Sequence, residues 1–126
     1  MKKIRNEDHD DFHFTRALRL VSGDSYKNVF DKATRFGNHS FTVLVRANNL
    51  EYPRLGLAIS KKCAKRAVDR NRIKRIFRES FRLNQHKLPC VDIIAMCRTS
   101  AIKLDSAEMR KQIDKQWYFI KKKMQT

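Results

Sequence analysis

"KRAVDRNRIKRIFRESFR", residues 65–82, decides how the rest of this chain is read. It holds Lys65, Arg66, Arg70, Arg72, Lys74, Arg75, Arg78 and Arg82 against Asp69 and Glu79 alone, a net +6 in eighteen residues. At about 100° per residue a helix sorts these side chains. Ile73, Ile76, Phe77, Ser80 and Phe81 share one arc, with Leu83 at its edge. Asn71, Lys74, Arg75, Arg78 and Arg82 gather on the opposite arc, and Arg70 and Arg72 flank the two. The apolar stripe of such a helix anchors it to a core while its cations face outward. Like charges at helical spacing repel. Solvated faces relieve that repulsion with interleaved acids, yet no acid interrupts the outer arc between Asn71 and Arg78. The spacing therefore predicts a helix over about 66–85 whose outer face meets an anionic partner. Lys61 and Lys62, just upstream, add to the same charge.

The flanking segments supply a sheet for that helix. "SFTVLVRA" predicts a strand over about 40–47, with Phe41, Val43 and Val45 on one face and Thr42, Leu44 and Arg46 on the other. "RLGLAIS" predicts a second over about 54–60, and the short connection between them suggests an antiparallel pair. "VDIIAMCR" predicts a third over about 91–98, apolar enough for a central position. Ser22 or Asp24 caps a short helix over about 24–33, before a break at Gly37, Asn38 and His39. Asp105 or Ser106 caps a final helix whose Met109, Ile113, Trp117 and Ile120 recur at helical spacing. The expected class is α+β in the order αββαβα, a small mixed sheet packed with helices. Residues 1–18 show no clean period and read as a flexible arm ahead of one domain over 19–126.

Composition narrows the function. The chain has 126 residues, 41% of them hydrophobic, and a formal charge of +16. A polyanion is the default partner for such a balance. No apolar run approaches the length of a membrane span, and an interfacial helix would need a free apolar face, which here is committed to the sheet. The charged N-terminus lacks the apolar stretch of a signal peptide. A cytoplasmic protein that avoids membranes is expected. Cys63, Cys90 and Cys97 are an odd number without a CxxC pair and read as reduced, partly buried thiols. The acids are scattered; the one dense group, "EDHDD" at 7–11, lies in the arm, where metal ligands would not be preorganised. His39 and His86 lie near turns and read as surface residues. No Gly-rich phosphate loop or Ser/His/Asp set is visible. No helix-turn-helix partner precedes the basic helix, so physics favours RNA over DNA only slightly.

"RLGLAISKKCAKRAVDRNRIKRIFRESFR" carries a more specific signal. A strand ending in a twin lysine, then Arg70-Asn71-Arg72 and Ile73-Lys74-Arg75 at the start of a helix, resembles the signature of the bacterial ribonuclease P protein subunit. "RLVSGDSYKNVF", "RLNQHKLPCVDIIAMCR" and the last helix also fit, so the resemblance spans about residues 19–122. It implies a subunit that assembles with a large catalytic RNA, one protein per RNA, into a holoenzyme that cuts precursor tRNA to leave a 5′-phosphate on mature tRNA. The RNA is expected to hold the chemistry and most of the Mg2+. The protein is expected to contact that RNA and the single-stranded 5′ leader. The resemblance also implies a left-handed βαβ crossover, against the usual right-handed rule.

Carried over by position, the resemblance assigns the catalytic RNA to Lys61, Lys62, Arg70, Asn71, Arg72, Lys74, Arg75 and Arg78. Lys65, Arg66 and Arg82 extend the patch by charge. Tyr26 and Phe30 match aromatic positions of the leader cleft, where rings stack on exposed bases. Leu44 stands where some members carry an aromatic residue, so apolar contact replaces stacking there. Arg46, on the same strand face, is a candidate for a leader phosphate. A non-enzymatic RNA-binding ribosomal or assembly factor is the alternative, and a stand-alone metal-dependent nuclease using the acidic arm is a third reading.

Overall fold

A computed structural model describes Arg19, Asp31 and residues 33–124. Alternation in "FTVLVRA" does what it predicts. Strand β2 (Phe41–Ala47) buries Phe41, Val43 and Val45 on one face and leaves Leu44 and Arg46 half-buried on the other. A preceding strand, β1 (Thr34–Gly37), hairpins onto it, with Arg35 opposite Leu44 and Phe36 opposite Val43. The turn between them is fixed by Asn38, whose side-chain oxygen accepts from the backbone N–H groups of Ser40 and Phe41 at 3.0 and 2.8 Å. The sequence reading lacks β1 and places only a break there. Of the helix expected over 24–33, only Asp31 and Ala33 are described, and Asp31 is helical.

Strand β3 (Arg54–Leu57) and the seven-residue β4 (Val91–Cys97) complete a sheet of order β1-β2-β4-β3. β4 takes the central position its composition predicts, with its first five residues all buried. It runs antiparallel to β2, pairing Val45 with Ile93, and parallel to β3, pairing Leu55 with Ile93. The expected β2–β3 pair is thus corrected. The two strands run in opposite directions as expected, but the more apolar β4 inserts between them and takes both sets of ladder bonds.

Helix α1 (Ala67–Asn84) crosses from β3 to its parallel neighbour β4. Helix α2 (Ser106–Met124) closes the described chain. Asp105 caps it, its carboxylate accepting the Glu108 N–H at 2.8 Å. Both helices lie on one face of the sheet. Ile73, Phe77 and Phe81 of α1 and Met109, Ile113, Trp117 and Ile120 of α2 meet Phe41, Val43, Val45, Leu55, Ile93 and Ala95 in one core. Phe77 sits at its centre, edge-on to Phe41 with centroids 5.4 Å apart and to Trp117 at 6.4 Å. Leu83, placed at the edge of the apolar arc, is 38% exposed.

Ser80 is the polar residue on that apolar arc, and its hydroxyl joins the helices. It donates to Asp114 Oδ1 and accepts from Trp117 Nε1–H at 2.6 Å. Ser80→Ala should cost about 1–3 kcal/mol, because the buried indole N–H loses its acceptor. Thermal denaturation checks this, and the same change in a Trp117→Phe background should cost less.

The cysteine expectation fails for two of three residues. Cys63 and Cys97 are paired as a disulfide, with Cα atoms 6.1 Å apart. β3 and β4 are parallel neighbours, so the turn after one lies beside the end of the other. Cys90 is a free thiol as expected, but it is exposed rather than partly buried.

Candidate nucleic-acid interface

The backbone leaves β3 into a tight turn, where Ser60 O accepts from the N–H groups of Cys63 and Ala64 at 3.2 and 3.1 Å. Lys61, Lys62, Lys65 and Arg66 are all exposed around this turn. Arg70 then folds back on it, donating from Nη1 to Ala64 O at 2.9 Å and Lys65 O at 2.8 Å. Arg72 reaches the other way, to Leu104 O at 3.2 Å and Ser106 Oγ at 3.3 Å, at the start of α2. The two arginines of the Arg70-Asn71-Arg72 triplet thus brace the start of α1 from both sides. Each guanidinium carries five N–H donors, so bracing uses only part of its capacity. Asn71, between them, is exposed.

Beyond the triplet, Arg75 and Arg78 are exposed on the outer face, and Lys74 is half-buried beside them. Among the described residues none of these three has a carboxylate within ion-pair distance. Arg82 differs: its Nη2 lies 2.6 Å from Glu79 Oε2. Arg66 lies 3.8 Å from Asp69, an exposed pairing of little worth. The predicted RNA set therefore lies on the turn at 61–66, at the braced start of α1 and along its outer face. Within it Arg70 and Arg72 have structural duties that the sequence does not reveal.

The leader set lies elsewhere. Leu44 is on the sheet face opposite the helices, packed with Ala33, Ala58 and Met96 around the fully buried Ile94. Arg46 shares this face and stands opposite Asp92 in register. Asp92 is held by Arg54 through a forked pair at 2.8 and 2.7 Å, and by Asn48 Nδ2 at 2.9 Å. The hydrogen bond to Asp92 raises the Arg54 pKa above its ordinary value, with burial opposing. A raised cationic pKa stabilises the fold below the ordinary arginine value and is lost only as pH climbs past it. The Arg54 guanidinium therefore keeps its charge across every working pH. Arg35, on the strand absent from the sequence reading, is exposed and joins this face opposite Leu44. Its signal was the alternation in "TRFG", too short to read alone. Tyr26 and Phe30 lie outside the described residues, as does the acidic group at 7–11.

Among the described residues, no three His, Cys, Asp or Glu side chains gather to hold a metal ion. Asp92 is engaged by Arg54, Asp114 by Arg110 at 3.0 Å, and Glu79 by Arg82.

Comparison with known proteins agrees with this geometry. The family model described as Ribonuclease P matches residues 14–121. The Ribonuclease P protein component of Aliivibrio salmonicida is 48% identical over 107 residues, covering 85% of this chain and 92% of that protein. The corresponding component of Vibrio campbellii is 49% identical over 107 residues, covering 85% and 91%. Among solved structures, a Staphylococcus aureus RNase P protein mutant with defective mRNA degradation activity superposes with a TM-score of 0.78 at 28% identity, over 85% of this chain and 90% of that one. The RNase P protein of Thermotoga maritima gives 0.70 at 29% identity, over 82% and 96%. With the family model spanning most of its length and the basic triplet set at the start of α1, this chain belongs to the ribonuclease P protein family.

Proposed function

We propose that this chain is the protein component of a ribonuclease P, an endoribonuclease that removes the 5′ leader of precursor tRNA. Its partners are the catalytic RNA subunit and the precursor tRNA, with one protein per RNA. The chemistry and the Mg2+ belong to the RNA, and the assembly works in the cytoplasm. The observation that carries the reading is the outer face of α1: Asn71, Arg75 and Arg78 are exposed while Ile73, Phe77 and Phe81 hold the same helix in the core. A rigid cationic helix face neutralises phosphates, releases counterions and offers forked hydrogen bonds. The opposite sheet face, with Leu44 between Arg35 and Arg46, suits the leader. Its apolar floor accepts a base face and its cations accept phosphates. None of the described helices is long and apolar enough to cross a membrane.

The test compares substrate affinities of the RNA alone and of the RNA–protein complex. The protein should tighten binding of precursor tRNA carrying a leader and leave mature tRNA nearly unchanged. Equal tightening of both would remove the leader role.

A further inference from the structure

Helix α2 buries Met109, Ile113, Gln116, Trp117 and Ile120. At about 100° per residue, the side chains diametrically opposite are Lys111, Lys115, Tyr118 and Lys122, spaced i, i+4, i+7 and i+11. All four are exposed, Tyr118 by 60%. Phe119 beside it is 50% exposed, and the two rings meet edge-on with centroids 5.4 Å apart. Adjacent large rings standing in solvent are unusual on a helix whose apolar stripe is already satisfied. The three lysines have no carboxylate within ion-pair distance among the described residues. The two acids within the helix are engaged by its own residues: Asp114 accepts from Arg110, and Glu108 accepts from Gln112 at 3.2 Å. Lys121–Lys123 complement the helix C-terminus, but Lys111 and Lys115 stand mid-helix, four residues apart, where like charges repel.

From this pattern we infer that the Lys111–Lys115–Tyr118–Lys122 face of α2 is a second RNA-docking surface, taking a strand of the catalytic RNA with at least one unstacked base. The lysines meet successive phosphates and Tyr118 stacks on the base. Charge complementarity selects RNA as the occupant. A lipid surface would require a continuous apolar face, and the continuous apolar face of α2 is inside the core. Both helices pack on the same side of the sheet, so this face widens the footprint of α1 rather than addressing the leader face. The inference rests on the proposed partnership with catalytic RNA and adds a site to it.

The experiment measures catalytic-RNA affinity against salt for the full chain and for Lys111→Ala/Lys115→Ala, Tyr118→Ala, Tyr118→Phe and Arg75→Ala. The double lysine variant should lower the salt slope by about one to two units. Tyr118→Ala should weaken binding about tenfold, and Tyr118→Phe should bind like the parent, since stacking needs only the ring. All changed positions are exposed, and unchanged melting temperatures verify folding. If Arg75→Ala weakens binding and the α2 variants bind like the parent, the second surface is overturned while the α1 partnership stands. If the parent chain itself fails to bind the RNA, both fall. Unchanged RNA binding by the lysine variant with lost binding to phosphatidylglycerol vesicles would reassign the face to a membrane.

Discussion

Phe77→Ala should lower the unfolding free energy by about 3–5 kcal/mol, a large share of the roughly 5–15 kcal/mol typical of one domain. Phe77 has no solvent exposure and touches both halves of the core, packing edge-on against Phe41 of β2 and Trp117 of α2. Truncation removes the central ring contact by which α1 meets both β2 and α2. The hole cannot close by local collapse, because strand and helix backbones frame it. Urea titration should show a lower midpoint with an unchanged slope. Val68→Ala, at an exposed position on the same helix, should stay within about 0.5 kcal/mol of the parent. A Phe77→Ala loss as small as that control would mean α1 is not anchored as described, and its outer face would lose its rigid platform.

Arg75→Ala combined with Arg78→Ala is expected to give the largest loss in RNA binding. Each side chain is exposed on the outer face and free of carboxylate partners among the described residues. If each meets one phosphate, the salt slope falls by about two units, so the affinity gap from the parent narrows about sixteenfold between 50 and 200 mM salt. Arg82→Ala should do less, since its guanidinium already engages Glu79. A double variant with the parent's affinity and slope would remove α1 from the interface.

How much of this was legible depended on range along the chain. The two faces of α1 could be read because a helix is periodic over its own residues, and Ile73, Phe77, Ser80 and Phe81 are buried as their spacing requires. The central place of β4 followed from its composition. The partner of β3 did not, because the strand that displaces β2 comes more than thirty residues later. Cys63 and Cys97 were missed for the same reason, being 34 residues apart and joined only by the parallel packing of β3 and β4. At the site, charge and order marked Arg70 and Arg72, but not that both would reach backbone carbonyls. A guanidinium serves a carbonyl as readily as a phosphate, and only the turn at 61–66 and the start of α2 decide which are within reach.

A reconstituted cleavage assay on precursor tRNA puts the whole account at risk. It compares the protein alone, the catalytic RNA alone and the two together, at low magnesium and subsaturating substrate. The protein alone should cut nothing. Adding it to the RNA should raise the cleavage rate, and the Arg75→Ala/Arg78→Ala variant should reach the same rate only at higher protein concentration. Cleavage by the protein without RNA, or an RNA rate indifferent to the protein, would contradict it.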